Sequence, residues 1–530
     1  MTEVKQNLKS DFMIGLEACI GRIPRFMVFV FVASLIICFL VHGYCFTNFL
    51  TNHDNALISN GAGGIVQNGG AVSSGRFLLT AINEISSRYT MPWINGLLSS
   101  VYFAVAVCLI TALFEIKHRA SALLIAALLA SFPTAASTFA FMYTSDAYFF
   151  TLMISALAAY LTRRLRFGFV VGALLISAAL GIYQAYFPFA AALLVFSLIF
   201  DFLKTEHSAK KIIIDCITAL SALACGLVIY KLVLDLCLSY TGTELSSYIG
   251  IDHMWYISIW DIGERISNAF KYSFLVYKAN EFFADYAHTL YMLGLAAMAV
   301  LAISALVRRK IYRTPFRFAV ILLLIVVAPL ACSLVFVMCE SVHTVMIYAV
   351  ALPLVAAVAA LDKLSFEDMS KATAKAHSVC ALVLLFSLVG ILFQNVIVVN
   401  KAYLKMDVVY ESSYAFCTKL TARMEMTDGY EVGMPVVLLG SISQENRPNL
   451  NEEMKELDLM AGIPTDLGLL RTNIISGFCQ YFIGDQIAEA DSDTAAAMKA
   501  HPQVAEMPIY PYNGSIRIID GVMVVKLGEI

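Results

Sequence analysis

A helix needs roughly 20 consecutive apolar residues to cross the hydrocarbon core of a bilayer. Segments of that order recur in this chain from residue 26 to residue 399. They fall at 26–46, 94–114, 120–140, 147–161, 167–183, 187–203, 212–238, 290–307, 316–338, 345–361 and 379–399. A chain that repeats such segments folds as a polytopic α-helical membrane protein, and the pattern predicts about eleven transmembrane helices. Composition agrees. The 530 residues are 60% apolar and 14% charged, against about 45–50% and about 25% in soluble domains. Two of the segments are short and fit tilted or broken helices. The first is too long for a signal-peptide core and lacks a small-residue cleavage site, so a retained helix is expected.

The loops give the orientation. Lys and Arg gather on alternate connections: Lys117 and Arg119; Arg163, Arg164 and Arg166; Lys204, Lys210 and Lys211; Arg308, Arg309, Lys310, Arg313 and Arg317; Lys363, Lys371 and Lys375. The other connections carry few. Positive loops stay on the cytoplasmic side, so the N-terminus is expected inside. An odd number of spans then puts the C-terminal tail outside. The basic loops are then expected on the cytoplasmic face. The net charge of −3 decides nothing, and no basic tail or aromatic–basic patch points to nucleic acid.

Residues 1–400 form the expected membrane domain, with long outer loops at about 47–93 and 239–288. In the first loop, RFLLTAINEISSRY has near-helical apolar spacing and predicts a helix lying on the membrane surface. YISIWDIGERISNAFKYSFLVY in the second predicts another, with Trp255 and Trp260 at headgroup depth. Residues 401–530 are more polar and predict a small extracytoplasmic α/β domain. MPVVLLGS there reads as a buried strand, and SIRIIDGVMVVKL as a hairpin turning at Asp520-Gly521. The 12 cysteines show no CxxC spacing, and pairing of Cys417 with Cys479 stays open.

Polar groups at the outer ends of the spans are the candidates for chemistry. FLTNHDNALISN places His53 and Asp54 just past the first span. An Asp there is a good helix N-cap, and a carboxylate there can also take a proton from a hydroxyl group. Arg76, in SSGRFLL, suits a phosphate, since its planar fork pairs with phosphate oxygens. Gly75 before it allows close backbone approach. Arg88 is a weaker candidate of the same kind. Asp146, in FMYTSDAYFF, caps its helix or faces a cavity, because a carboxylate at membrane depth is costly without a partner. Tyr183 and Gln184, in GIYQAYFPF, and Glu340 and His343, in CESVHT, offer amide, ring and charged groups suited to a sugar. No metal-ligand spacing occurs. No cofactor is required, and a divalent metal is compatible with these residues.

An early Asp in the first outer loop, a later Gly-Arg pair, the T-S-D of residues 144–146 and the Y-Q-A-Y of residues 183–186 resemble the bacterial membrane glucosyltransferases of the glucosyl transferase II type. The tail stretches NKAYLKMDVVYESSYAF, PVVLLGS and MPIYPYNGSIRIIDGVMVVKL resemble that family too. The family includes enzymes that decorate O-antigen. The resemblance implies a GT-C architecture and a sugar donor carried on polyprenyl phosphate, usually glucose on undecaprenyl phosphate. It also implies transfer to a cell-surface glycan outside the membrane, and a partner synthase and flippase to supply the donor. By the same resemblance Asp54 is the essential acid of the first loop; Asp146, placed at matching depth by its position in the sequence, is the second catalytic candidate. Two other readings stay open: a transporter or flippase for lipid-linked sugars, for which Asp215 and Asp235 are the best support, and a polysaccharide polymerase.

Overall fold

The computed structural model describes residues 23–54, 70–87, 89–247, 259–363, 371–443 and 454–530. Helix dominates. The first apolar segment forms α1 (Arg25–Thr47), and α2 follows the first long loop as Pro92–Leu113. Then come α3 (Arg119–Ser131) and α4 (Pro133–Ala140), α5 (Met142–Arg164), α6 (Gly168–Ile182), α7 (Phe187–Lys204) and α8 (Ala209–Thr241). The second long loop yields α9 (Ile259–Ala279). The bundle ends with α10 (Asp285–Arg308), α11 (Pro315–Cys332), α12 (Leu352–Lys363) and α13 (Lys371–Glu425).

Hydropathy predicts about eleven spans. Each predicted segment does contain helix, yet seven described helices are long and apolar enough to cross a membrane, or eight if the bent pair α3–α4 counts as one. The chain is thus a helical, membrane-embedded protein, with a span count below the prediction. The shortfall has local causes. Pro133 forces Phe132 into an extended conformation and bends α3 from α4 by 48°, because the residue before proline avoids helical geometry. α5 carries Asp146, Arg163 and Arg164 and is too polar to qualify by composition. α6 is only 15 residues long. It turns back tightly on α5, and a Cβ at Gly168 would sit 2.0 Å from the Leu161 carbonyl oxygen. The segment at 345–361 opens in 3-10 turns before the 12 residues of α12.

The helix predicted across RFLLTAINEISSRY is shorter than expected. Leu79–Asn83 is helical and Glu84–Ser86 is a 3-10 turn. Leu79, Asn83 and Ser86 are buried. The Thr144 hydroxyl donates to Asn83 Oδ1 at 3.3 Å, so this piece packs on the start of α5 and leaves Ile85 exposed. α9 matches its amphipathic prediction. Ala269, Ser273, Val276 and Tyr277 are buried while Trp260 is exposed. Trp255 lies outside the described residues.

The last helix of the bundle, α13, runs unbroken for 55 residues through position 400. The apolar core of the bundle reaches Met406 on it, and a second core starts at Val409. Beyond it a three-stranded sheet forms from β1 (Val436–Leu439), β2 (Ile516–Ile519) and β3 (Val522–Lys526). β3 is central, parallel to β1 and antiparallel to β2. The hairpin turns at Asp520 and Gly521, both at positive φ as a two-residue turn of this kind requires. Cys417 and Cys479 are both buried, and neither is in a disulfide. Leu457, Met460 and Ile463 belong to the core of the helical bundle, and Gly462 lies against Ala140 and Phe141.

Candidate active site at the end of the bundle

The chain leaves α1 through residues 48–54. The Asn52 side-chain amide donates to the Ala140 carbonyl at 2.8 Å, and its Oδ1 accepts the Asp54 backbone N–H at 3.1 Å. This fixes Asp54 beside the α4–α5 junction. His53 Nε2 lies 3.1 Å from Asp54 Oδ1. The Tyr143 hydroxyl approaches Asp54 Oδ2 at 3.5 Å from the first turn of α5. The Asp54 carboxylate is 23% exposed, so it is held yet open to an incoming group.

Arg76 is 7% exposed. It follows a one-turn helix, Gly70–Ser73, and its backbone N–H donates to the Ala71 carbonyl at 2.7 Å. Its guanidinium donates to the Tyr148 hydroxyl at 3.4 Å and sits 4.8 Å above the Tyr183 ring. Tyr148 and Tyr183 stack with centroids 4.2 Å apart. Aromatic faces and phenol oxygens offset part of the cost of burying a cation. The turn carrying Arg76 is pinned from outside. The Gln184 amide donates to the Ser74 carbonyl at 2.9 Å and to the Tyr230 hydroxyl at 3.1 Å, and the Tyr230 hydroxyl donates to the Gly75 carbonyl at 3.0 Å. Gly75 has φ +74°, and a Cβ there would fall 2.6 Å from both Gln184 Nε2 and the Tyr230 oxygen.

Tyr143 joins the two halves. It lies within electrostatic reach of Asp54, Tyr148 and Arg76. Asp54 and Arg76 therefore share one aromatic-walled region, Tyr143 and Tyr148 both coming from α5. In FMYTSDAYFF the carboxylate of Asp146 stands out, whereas these two tyrosines resemble ordinary interface aromatics. Cys339 also lies within reach of the Arg76 charge.

The remaining candidates have other placements. Asp146 is 1% exposed. Its Oδ1 accepts from the Asn95 amide at 3.3 Å, and the Ser86 hydroxyl lies close by. It ties the end of the first loop and the start of α2 to α5. Tyr183 and Gln184 are both buried, one under Arg76 and the other under the Arg76 turn. Glu340 and His343 are exposed on the segment that follows Cys339, and Arg265 reaches Glu340 at 3.4 Å. Arg88 lies outside the described residues. Among the described residues, no group of three or more His, Cys, Asp and Glu side chains could hold a metal ion. The carboxylates that favoured a transporter are ion-paired: Asp215 with Lys211 at 2.6 Å, and Asp235 with Lys231.

The chain matches the family model of the glucosyl transferase GtrII over residues 43–361. It belongs to that family. The matched stretch is more than half of the 530 residues and takes in Asp54, Arg76, Asp146 and Gln184. It ends before the tail, so the tail motifs add nothing to it. No curated protein and no solved structure matches the chain. Membership in the GtrII family makes this a glycosyltransferase, embedded in a membrane through its apolar helices.

Proposed function

We propose that the protein moves glucose from a polyprenyl-phosphate donor to a surface glycan on the outer face of a bacterial cytoplasmic membrane. The Asp54–Arg76 region is the active site of this reading, on the side away from the basic loops, with the C-terminal domain outside. The observation that supports it most is the pairing of a half-open carboxylate with a buried guanidinium across shared tyrosines, inside the stretch that matches the family.

Asp54 takes the proton from the acceptor hydroxyl as that oxygen forms its bond to the anomeric carbon. The bond from that carbon to the phosphate oxygen breaks, and polyprenyl phosphate leaves with inversion at the sugar. Arg76 stabilises the charge that grows on the leaving phosphate. His53 and Tyr143 hold the carboxylate, and Tyr148 and Tyr183 hold the guanidinium. A separate synthase and a flippase supply the donor. A general base typically contributes about 10²–10⁴-fold.

The test is transfer of labelled glucose in membranes carrying the protein, from undecaprenyl-phosphate glucose or from a nucleotide sugar with synthesis of the lipid donor blocked. Label should reach polymer from the lipid donor alone. Transfer from the nucleotide sugar under that block would overturn the donor assignment.

A further inference from the structure

A second region, away from Asp54, is shaped for a ligand. A cavity of about 580 Å³ lies between α7, α10, α11 and α12. Its walls are apolar, with Phe196, Phe200, Leu295, Met298, Ile325 and Pro329 among them. On α10 it follows the helix from Arg309 back to Tyr291, which makes it long and narrow. Ile325 is 38% exposed, so the cavity meets the lipid-facing surface. The volume falls within the roughly 300–1,000 Å³ of sites that enclose a small ligand.

Its mouth lies at the basic ends of the helices. Lys117, His118, Lys204, Arg309 and Lys363 line it, with two carboxylates, Glu115 and Asp362. Both carboxylates are already engaged. Glu115 pairs with Lys204 at 2.6 Å and Arg164 at 3.1 Å. Asp362 accepts from the His118 ring at 2.8 Å and from the backbone N–H groups of Lys117 and His118. Among the described residues, Lys117, Arg309 and Lys363 have no carboxylate partner. Arg309 donates to the Leu203 carbonyl at 2.5 Å, and Lys363 lies 5.2 Å over the Phe200 ring.

We infer that this cavity holds an anionic phospholipid of the leaflet on the basic side. Its phosphate sits among Lys117, Arg309 and Lys363, and an acyl chain lies along α10. A cationic mouth on a long apolar slot matches an anionic headgroup on an extended chain. A compact polar solute would leave the slot unfilled, and a zwitterionic lipid would gain little from three cations that, among the described residues, form no carboxylate ion pair. The site differs from the proposed donor site, whose Arg76 lies at the opposite end of the helices.

The full chain purified in a neutral detergent would be probed with added phosphatidylglycerol or phosphatidylcholine, and retained lipid counted by mass spectrometry. Phosphatidylglycerol should be retained in preference. Lys363→Gln combined with Arg309→Gln should lower its retention about tenfold, while Lys363→Arg with Arg309→Lys keeps it. Ala302→Phe, which fills the slot and leaves the mouth charges in place, should also expel it. Equal retention of the two lipids would overturn the inference. So would unchanged retention in both the glutamine pair and Ala302→Phe, or recovery of polyprenyl phosphate in place of phospholipid.

Discussion

Gly75 shows how one residue positions a charge it does not carry. Its φ of +74° costs an L side chain about 1–2 kcal/mol, and a Cβ would press on Gln184 and Tyr230. Gly75→Ala should therefore displace Arg76 and cut transfer sharply, with only a small loss of thermal stability. Near-normal kinetics in that variant would detach Arg76 from catalysis. On the basic side, Glu115 is the counterpart. Lys204 first, against the opposing effect of burial, and then Arg164 pull its carboxyl down to about 2. A lowered folded-state value adds stability above the ordinary carboxylate range, lost as pH falls from that range toward 2. Glu115→Gln should therefore unfold slightly earlier than wild type at neutral pH, and the difference should shrink on acidification, as thermal melts across pH would show. The group is 40% exposed, so the effect is small. Asp54 and Arg76 stood out in the sequence because lone charges on an otherwise apolar, weakly basic side are rare. Tyr143 and Tyr148 did not, since interface tyrosines are common.

At the level of elements, apolar runs were legible because hydropathy is a local property, and the C-terminal hairpin because Asp-Gly turns are local too. Helix lengths were less so. The α3–α4 break follows from Pro133, yet its 48° bend depends on what packs around it. The hydrogen-bond partners of Gln184 were not legible at all. It reads as a sugar-binding amide, and its hydrogen bonds go to Ser74 and Tyr230, far away in sequence. α8 thus holds the Arg76 turn through Tyr230. Tyr230→Phe removes a buried hydroxyl whose partners stay behind, at about 1–3 kcal/mol. The expected result is a lower melting temperature with reduced transfer. Rescue of transfer at low temperature would show that the hydroxyl acts by positioning.

For the whole molecule, the long α13 links the bundle to the C-terminal sheet, a continuity that the composition change near residue 400 hides. Lys405 on α13 is 1% exposed and anchors the returning segment: it pairs with Asp458, lies 3.8 Å from Asp466 and donates to the Met454 carbonyl at 3.1 Å. That segment packs Gly462 on Ala140 and Phe141, next to the Asn52 bond that fixes Asp54. Lys405→Met removes a buried cation from beside the exposed Asp458 and the buried Asp466, and leaves the Met454 carbonyl without its donor, which should cost about 1–3 kcal/mol. Hydrogen exchange should rise at residues 454–468, with transfer falling as the Asp54 loop loosens. Unchanged exchange there would separate the tail from the site. The most direct measurement is single-turnover transfer of glucose from undecaprenyl-phosphate glucose by purified wild type and by Asp54→Asn. Equal melting temperatures with turnover reduced about 10²–10⁴-fold in the variant is the expected result. Turnover by Asp54→Asn at the wild-type rate would contradict Asp54 as the base.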